Sequence, residues 1–365
     1  MDFNYGIEHE IAFLNAQGAF ADFSNTPFTD FEQIIADLPF YESDYPQLRV
    51  GDAGIKLKRW YIEGYERYND DGISTSCAPK GIEIRTTIHS SIEGAIDELR
   101  QSNVLLSKRV EQAGYSPVLT SFNPWQEVFN PMPPLTPFER KRRAASPEKI
   151  TADIPMLTYG PDLSLSSNDL SVEQTIDAAR KLTYYSPWII PFSFSSPFYK
   201  GKLWKGVSVR TWYRTGARPT VLVFLPDDQQ QIISTPSLTQ KARIPAEIGR
   251  IEFKAFDSCG DFDLYASLFA FLKGLILDKT LLERATIPDK QQHQAVALQG
   301  FSDTQCCEQS YQLLKAAQNA LKSEAEKEQL QRLFMMLEDR ETPADVMIRD
   351  YQYHQSIQQT IALKK

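Results

Sequence analysis

The sequence predicts an α+β fold built on a largely antiparallel sheet. Strand-like patterns fill residues 1–88, a helical pattern follows, strands return between residues 206 and 257, and helical spacing then continues to the end. This mixed order differs from the regular strand–helix alternation of parallel βαβ folds. Strands that are far apart in the sequence are therefore expected to meet in one sheet.

The N-terminal part is predicted to contain strands and hairpins, followed by one long helix. Turn signals occur at Gly51–Gly54 and at Asp70–Gly72, between aromatic and β-branched residues. Ser90 or Ser91 can then cap an amphipathic helix that runs towards Gly114.

A proline-rich, basic segment covers residues 117–147 and includes the run Arg140–Arg143. The prolines predict an irregular segment that wraps over the surface. A basic run is usually a solvated surface. The alternative is a flap that contacts the phosphates of a nucleotide.

The remaining elements are a helix, two strands and a helical tail. A second helix is expected to begin near Ser171, and strands are expected at Gly206–Trp212 and Val221–Leu225. Charged residues, among them Lys273 and Asp278, interrupt the apolar stretch Leu264–Leu282, which therefore predicts a buried helix rather than a membrane span. We expect a division into a domain of residues 1–290 and a helical extension of residues 291–365.

Three strand candidates carry charged side chains on one face and apolar side chains on the other. Side chains alternate along a strand, so Glu8 lies on the face of Glu10, and Glu252 on the face of Lys254. Each strand taken alone also fits a charged edge that prevents aggregation. The three candidates are Gly6–Ile11, Gly81–Thr86 and Gly249–Asp257.

Carboxylates from several strands that point in one direction have to be neutralised, and divalent cations can do this. Mg²⁺ with oxygen ligands is the usual ion where a nucleotide is handled. The sequence therefore indicates a metal- and ATP-dependent enzyme. The candidate metal ligands are Glu8, Glu10, Glu83 and Glu252.

Basic side chains near these strands are candidates for contacts to anions. Arginine recognises carboxylate or phosphate bidentately, whereas lysine acts as a point charge. Ordinary ion pairs with the glutamates are the alternative. The loop Tyr199–Gly206 lacks the spacing of a phosphate-binding P-loop. The candidates are Arg85, Arg210, Arg214 and Lys254, together with Lys202 in that loop.

Composition excludes several other classes. The net charge of −8 and the pI near 5.2 argue against a nucleic-acid partner. The four cysteines and four histidines have no zinc-site spacing, which favours reduced thiols and a cytoplasmic protein. No signal peptide pattern opens the sequence, and we expect neither a membrane span nor a membrane partner.

Four sequence blocks, in the same order, resemble the glutamate–cysteine ligase family of the glutamine synthetase superfamily. The resemblance covers roughly residues 5–285, and the tail carries no motif of the family. Gly6–Glu10 resembles the G-x-E-x-E strand and Glu83–Thr86 the E-x-R-T strand. Tyr185–Arg210 is similar to the SP…SSPF…G…S-x-R block, and Arg250–Asp257 to the final E-x-R…D strand.

The resemblance implies a curved, funnel-shaped antiparallel sheet with ATP and Mg²⁺ at one end. It implies that residues 1–290 form the ligase domain, that the four glutamates hold Mg²⁺, and that Arg210 and Arg85 face phosphate or the carboxylate substrate. Two departures concern substrate identity. Thr158–Ser164 stands where the family has an H-x-H-x-G strand, with Asp162 as a replacement or a turn residue. Lys254 stands where the family has arginine.

The leading hypothesis from the sequence is an ATP- and Mg²⁺-dependent ligase of glutathione biosynthesis. It would join the γ-carboxylate of glutamate to an amine, with cysteine as the first choice. The alternatives are the same chemistry on another acid and amine, or a non-catalytic nucleotide or amino-acid sensor. A dimer formed through the helical tail is compatible with each of them.

Overall fold

The protein is described by a computed structural model that covers residues 1–48, 59–145 and 147–362. Its strands form one large curled sheet and a separate two-stranded hairpin, β7–β8. The strands are β1 (Asn4–Leu14), β2 (Phe20–Ala21), β3 (Trp60–Tyr68), β4 (Ser74–Arg85), β5 (Ser116–Val118), β6 (Pro161–Ser166), β7 (Phe198–Tyr199), β8 (Lys202–Leu203), β9 (Val221–Leu225), β10 (Thr239–Lys241) and β11 (Ile251–Phe253).

Helices occupy much of the rest of the described chain, and most of its C-terminal third is helical. They are α1 (Phe28–Ala36), α2 (Ile92–Gln112), α3 (Pro137–Arg143), α4 (Pro147–Ile150), α5 (Val172–Ile189), α6 (Val209–Arg214), α7 (Phe262–Leu277), α8 (Lys290–Gln299), α9 (Thr304–Ala320), α10 (Glu324–Gln329), α11 (Gln331–Glu338), α12 (Pro343–His354) and α13 (Ile357–Ile361).

The large sheet has the order β10-β9-β11-β6-β1-β4-β3, with β2 and β5 also paired to β1. The β10–β9 pair is parallel and the other pairs are antiparallel. The sheet curls strongly into a half-barrel. The predicted α+β class with a curved, largely antiparallel sheet is confirmed.

One face of the sheet is covered by helices and forms the core. Ile82 and Ile84 of β4 and Ile251 and Phe253 of β11 are fully buried there, as their alternation predicts. The helix α7 packs among them and is buried along nearly its whole length. None of the helices in the described part of the chain is long and apolar enough to cross a membrane.

Several predicted boundaries are confirmed. Ser91 caps α2 by accepting a hydrogen bond from the backbone of Gly94, and Ser171 caps α5 within a capping box. The turn at Asp70–Gly72 joins β3 to β4, and β9 has the predicted bounds. The predicted turn at Gly51–Gly54 lies outside the described residues.

Three predictions about local structure are wrong. Residues 1–88 also contain a helix, α1, which buries Phe31 and Ile35. Residues Gly206–Trp212 do not form a strand, because Ser208 caps the short helix α6. The basic run Arg140–Arg143 lies on α3 rather than in an irregular segment, since a capping box at Thr136 starts that helix.

The division at residue 290 stays a prediction. The helix α9 packs on α5 and α7, so its side chains join the same hydrophobic core as the sheet.

Candidate active site

The face of the sheet opposite the helices gathers acidic side chains from five strands. Strand register places Glu8 of β1 directly between Arg85 of β4 and Asp162 of β6, and it places Glu10 opposite Glu83. Two groups of three carboxylates result, and within each group the oxygens lie within 4.8 Å of one another. The first carboxylate cluster is Glu8, Asp162 and Glu252, and the second carboxylate cluster is Glu10, Glu63 and Glu83.

Two basic side chains already neutralise much of the first cluster. The ammonium of Lys254 contacts both Asp162 and Glu252. An Nη2 of Arg250 lies 2.7 Å from Oε2 of Glu252, and its Nη1 lies 3.6 Å from Oε1 of Glu8. Burial lowers the pKa of Lys254, but the carboxylates Asp162 and Glu252 outweigh it and hold that pKa above its usual range.

The second cluster is less well neutralised. Lys80 donates to Oε1 of Glu10 at 2.7 Å, and the hydroxyl of Tyr61 donates to Glu63 at 2.8 Å. Glu83 is 3% exposed, and its Oε1 has no hydrogen-bond partner among the described residues. Burial, together with the neighbouring carboxylates, raises the pKa of Glu83 well above its usual value.

Glu10 shares this environment. Burial raises its pKa to about 7, although Lys80 opposes the shift. Carboxylates that are buried, close together and short of cations are a suitable donor set for Mg²⁺, which prefers oxygen ligands. The second cluster therefore fits a divalent ion.

Arg210 lies on α6 and is held against the chain that follows β11. Its Nη1 donates to the carbonyl of Ala255 at 2.9 Å and its Nη2 to the carbonyl of Lys254 at 3.0 Å. Its Nη1 also lies 3.9 Å from Oδ1 of Asp257, which is fully buried. Gly160 packs against the guanidinium, where no side chain would fit.

The serines of the predicted SSPF and S-x-R blocks converge on Asp257. Its Oδ2 accepts hydrogen bonds from the backbone N–H of Ser195 at 3.0 Å and from the hydroxyls of Ser196 at 2.8 Å and Ser208 at 3.0 Å. These bonds fix the start of α6, and with it Arg210. The sequence blocks thus correspond to one buried network.

Arg214 lies one turn beyond Arg210, on the same face of α6. Arg214 is buried and has no ion pair with the described carboxylates. Burial, followed by Arg210 and Arg218, lowers its pKa well below the usual value. A bound anion would relieve this unfavourable burial.

The two remaining basic candidates differ in position. Arg85 lies across from Glu8, and its guanidinium stacks on the ring of Tyr61 at 4.1 Å. Lys202 is exposed on β8, in the separate hairpin, and lines neither of the clefts beside the clusters. The structure brings Arg85 to the carboxylates and does not bring Lys202 there.

Two clefts adjoin the carboxylate clusters. One, of about 250 Å³, is lined by Glu8 and Lys254, and the other, of about 330 Å³, is lined by Glu63 and Arg142. Arg218 lines both of them. The basic helix α3 therefore borders a cleft that contains a carboxylate of the second cluster. This position is compatible with the alternative that the basic segment contacts the phosphates of a nucleotide.

Sequence reasoning missed Glu63 and Lys80 and left Asp162 open. Asp162 lies on β6 within the first cluster and is not a turn residue. Glu63 follows Tyr61 by two residues, so strand alternation could have placed both on the face of Glu83. Lys80 precedes the Gly81–Thr86 strand, and nothing in the neighbouring sequence indicates that it contacts Glu10.

The fold is glutamine synthetase-like, by similarity to solved structures at low sequence identity. Glutamate–cysteine ligase from Francisella tularensis, solved in complex with AMP, superposes with a TM-score of 0.57 at 13% identity, over 98% of this chain and 86% of the ligase. A bifunctional glutathione synthetase from Pasteurella multocida gives a TM-score of 0.56 at 13% identity, over 98% of this chain and 51% of that chain.

A third similar structure is the ligase PafA, solved in complex with the prokaryotic ubiquitin-like protein Pup. Its TM-score is 0.51 at 9% identity, over 98% of this chain and 70% of that chain. No protein-family model and no curated protein sequence matches the chain. These comparisons show the fold, and the activity has to be argued from the site.

Proposed function

We propose that the protein is an ATP- and Mg²⁺-dependent ligase that couples the γ-carboxylate of glutamate to an amine, with cysteine as the amine. The observation that carries this proposal is the pair of carboxylate clusters on one sheet face, with Arg218 in both adjoining clefts and the buried Arg214 close enough to interact electrostatically with Asp162 and Glu10. Phosphoryl transfer needs mainly positioning and neutralisation of charge, and this arrangement offers both. The similarity to a glutamate–cysteine ligase fold supports the choice of substrates.

The acidic residues of the site would bind the metal ion, and the basic residues would bind the phosphate. Glu10, Glu63 and Glu83 would hold Mg²⁺, which would neutralise the phosphates of ATP. Arg214 has no ion pair with the described carboxylates and would bind a phosphate group, while Arg210 would orient that group from the start of α6. Residues 1–290 would form the ligase domain and residues 291–365 its helical extension.

Arg85 lines the same cleft as Lys254 and Glu8. Its guanidinium, stacked on Tyr61, would bind the carboxylate substrate. Lys254 would then present its charge near the substrate, while the contact predicted between Lys202 and an anion such as the nucleotide stays a prediction.

The proposed reaction has two steps. An oxygen of the γ-carboxylate attacks the γ-phosphorus of ATP, the bond to the β–γ bridging oxygen breaks, and ADP leaves. The nitrogen of the amine then attacks the carbonyl carbon of the acyl phosphate, loses a proton, and expels inorganic phosphate. The product is the amide, here γ-glutamylcysteine.

A matched pair of variants tests the proposal. Release of ADP is measured with ATP, Mg²⁺ and glutamate, with and without cysteine, for the wild type and for the Glu83→Gln and Glu338→Gln variants. Glu83→Gln should abolish turnover because it removes a charge from the second cluster, whereas Glu338 is exposed on α11 and its change should leave turnover intact. Unchanged turnover in Glu83→Gln would contradict the proposal.

A second candidate is the same chemistry on another acid and amine. It is favoured by the contact between Lys254 and Asp162, which stand where the resembled family has arginine and histidine. A panel of amino acids in the same assay separates the two candidates, because only the true pair stimulates formation of ADP. Binding of ATP without turnover on any pair would instead support a sensor.

A further inference from the structure

We propose that the ammonium of Lys254 takes the place of a divalent cation in the first carboxylate cluster. In the absence of nucleotide and amino acid, the protein then binds one divalent ion, in the second cluster. This inference deepens the proposed function, because it concerns the same site and assigns how many metal ions that site holds. It also revises the expectation that Glu8 and Glu252 are metal ligands.

The ammonium of Lys254 lies between two carboxylates of the first cluster. Its side chain is 17% exposed, and its ammonium contacts carboxylates from two strands, Asp162 of β6 and Glu252 of β11. A divalent ion shared by these carboxylates would need the same space between them. The lysine therefore occupies the position where the carboxylates of this cluster converge.

The charges around the first cluster also disfavour a divalent ion there. Arg250 reaches the first cluster from the other side, with contacts to Glu252 at 2.7 Å and to Glu8 at 3.6 Å. Nη2 of Arg250 also lies 3.8 Å from Oε1 of Glu247, outside the cluster. Within the cluster, three carboxylates face two fixed cations, and one net negative charge remains among these five groups. A divalent ion that entered this cluster would meet both basic groups at close range, where like charges repel strongly in a poorly solvated site.

The second cluster differs on both counts. Of the three carboxylates in this cluster, Lys80 contacts one, that of Glu10. Its ammonium also donates to the backbone carbonyls of Pro155 at 2.8 Å and of Thr158 at 2.7 Å, which fix its position. Glu63 and Glu83 have no basic partner among the described residues. With all three carboxylates ionised, as ligands of an ion are, they face one cation, so two net negative charges remain, which matches one divalent ion.

An unsatisfied atom marks the second cluster independently of its charge. Glu83 is 97% buried, since its exposed fraction is 3%, and its Oε1 lacks a hydrogen-bond partner within the described chain. Buried polar atoms without partners are costly, and a bound ion or water satisfies them. One carboxylate oxygen of Glu83 lies within 4.8 Å of an oxygen of Glu10 and of Glu63, where an ion would bind all three residues.

The test counts Mn²⁺ ions, without nucleotide or amino acid, by equilibrium dialysis and by the electron paramagnetic resonance of free Mn²⁺. The wild type should bind one ion, Glu83→Gln none, and Glu252→Gln one. Lys254→Met should bind two, because removal of the ammonium opens the first cluster. Lys254→Arg keeps the charge and should bind one.

Thermal unfolding of each variant shows that it is folded. If Lys254→Met does not fold, the wild type and the two glutamate variants still decide the question. Two ions in the wild type, with one lost in Glu252→Gln, would overturn the inference, and so would a single ion in a folded Lys254→Met. The counts do not depend on turnover, so failure of the ligase assay and failure of this inference are distinguishable.

Discussion

Lys80 and Glu10 form an ion pair beneath the second carboxylate cluster, with Nζ of the lysine 2.7 Å from Oε1 of the glutamate. The lysine side chain is 1% exposed, and its other two donors are bound to backbone carbonyls. Oε2 of Glu10 accepts the backbone N–H of Gly160 at 3.0 Å. The pair therefore fixes one carboxylate of the cluster from below, and it connects β1 to the chain before β6.

Replacement of Lys80 by methionine should destabilise the protein strongly. The change leaves Glu10 and two carbonyls without their donor, and breaking a buried ion pair costs about 3 kcal/mol or more. Urea unfolding measures the loss. The control is Lys327→Met, whose exposed pair with Glu324 should contribute less than about 1 kcal/mol. Equal losses in the two variants would contradict the structural role of Lys80.

Gly160→Ala should lower turnover with the fold retained. A Cβ atom at this position would lie 2.7 Å from Cζ of Arg210 and 2.8 Å from the carbonyl oxygen of Phe256, so the guanidinium has to move. Misplacement of a catalytic group by about 1 Å can cost roughly hundredfold in rate. Release of ADP measures turnover, and thermal unfolding measures folding. Turnover equal to that of the wild type would show that the position of Arg210 is unimportant.

Ser208→Ala should lower the free energy of unfolding by about 2 kcal/mol, because it removes the cap of α6 and a buried hydrogen bond to Asp257. Its hydroxyl caps α6 at the N–H of Thr211, at 3.0 Å, and donates to Asp257 at 3.0 Å. The matched control is Ser323→Ala, which removes an exposed cap of α10 and should cost about 1 kcal/mol or less. Chemical unfolding compares the two, and a larger loss in Ser323→Ala would contradict the network at Asp257.

His293 should make stability depend on pH. It is fully buried on α8, where Nδ1 donates to the carbonyl of Asp289 at 2.7 Å, and burial lowers its pKa from 6.5 to about 4. A lowered pKa gives stability that is fully present above pH 6.5. That stability is lost as the pH falls through 4, and it amounts to roughly 3 kcal/mol.

The measurement for His293 is the free energy of unfolding at pH 7 and at pH 4.5. In His293→Gln the difference between the two pH values should shrink by most of this amount. His354→Gln, at an exposed position at the end of α12, should keep the difference of the wild type. The same difference in all three proteins would show that His293 does not contribute.

The sequence predicts those parts of the fold whose patterns are long enough to be unambiguous. Alternation in β1 and β4 and the caps of α2 and α5 predict these elements, because strand period and helix capping are local properties. The helix α6 is only six residues long, and the stretch Val207–Arg210 at its start alternates between apolar and polar residues, so period alone predicts a strand. Its helical form depends on the cap by Ser208, which Asp257 holds through a distant contact.

The candidate site could be predicted only in part. Glu8, Glu10, Glu83 and Glu252 were identified as one set, yet strand register separates them into two clusters. Register depends on pairing between strands that are far apart in sequence, and the alternation within each strand gives the face of a side chain but not its cross-strand partner. For the same reason, the local sequence did not reveal the partners of Glu63 and Lys80.

The central claim is that the protein activates a carboxylate with ATP, and transfer of an isotope tests it most directly. Glutamate labelled with ¹⁸O in its γ-carboxylate is incubated with ATP, Mg²⁺ and cysteine, and the released phosphate is analysed by mass spectrometry. We predict one ¹⁸O atom in each phosphate, together with γ-glutamylcysteine as the product. Phosphate without ¹⁸O, or ADP formed regardless of the amino acids present, would contradict the account.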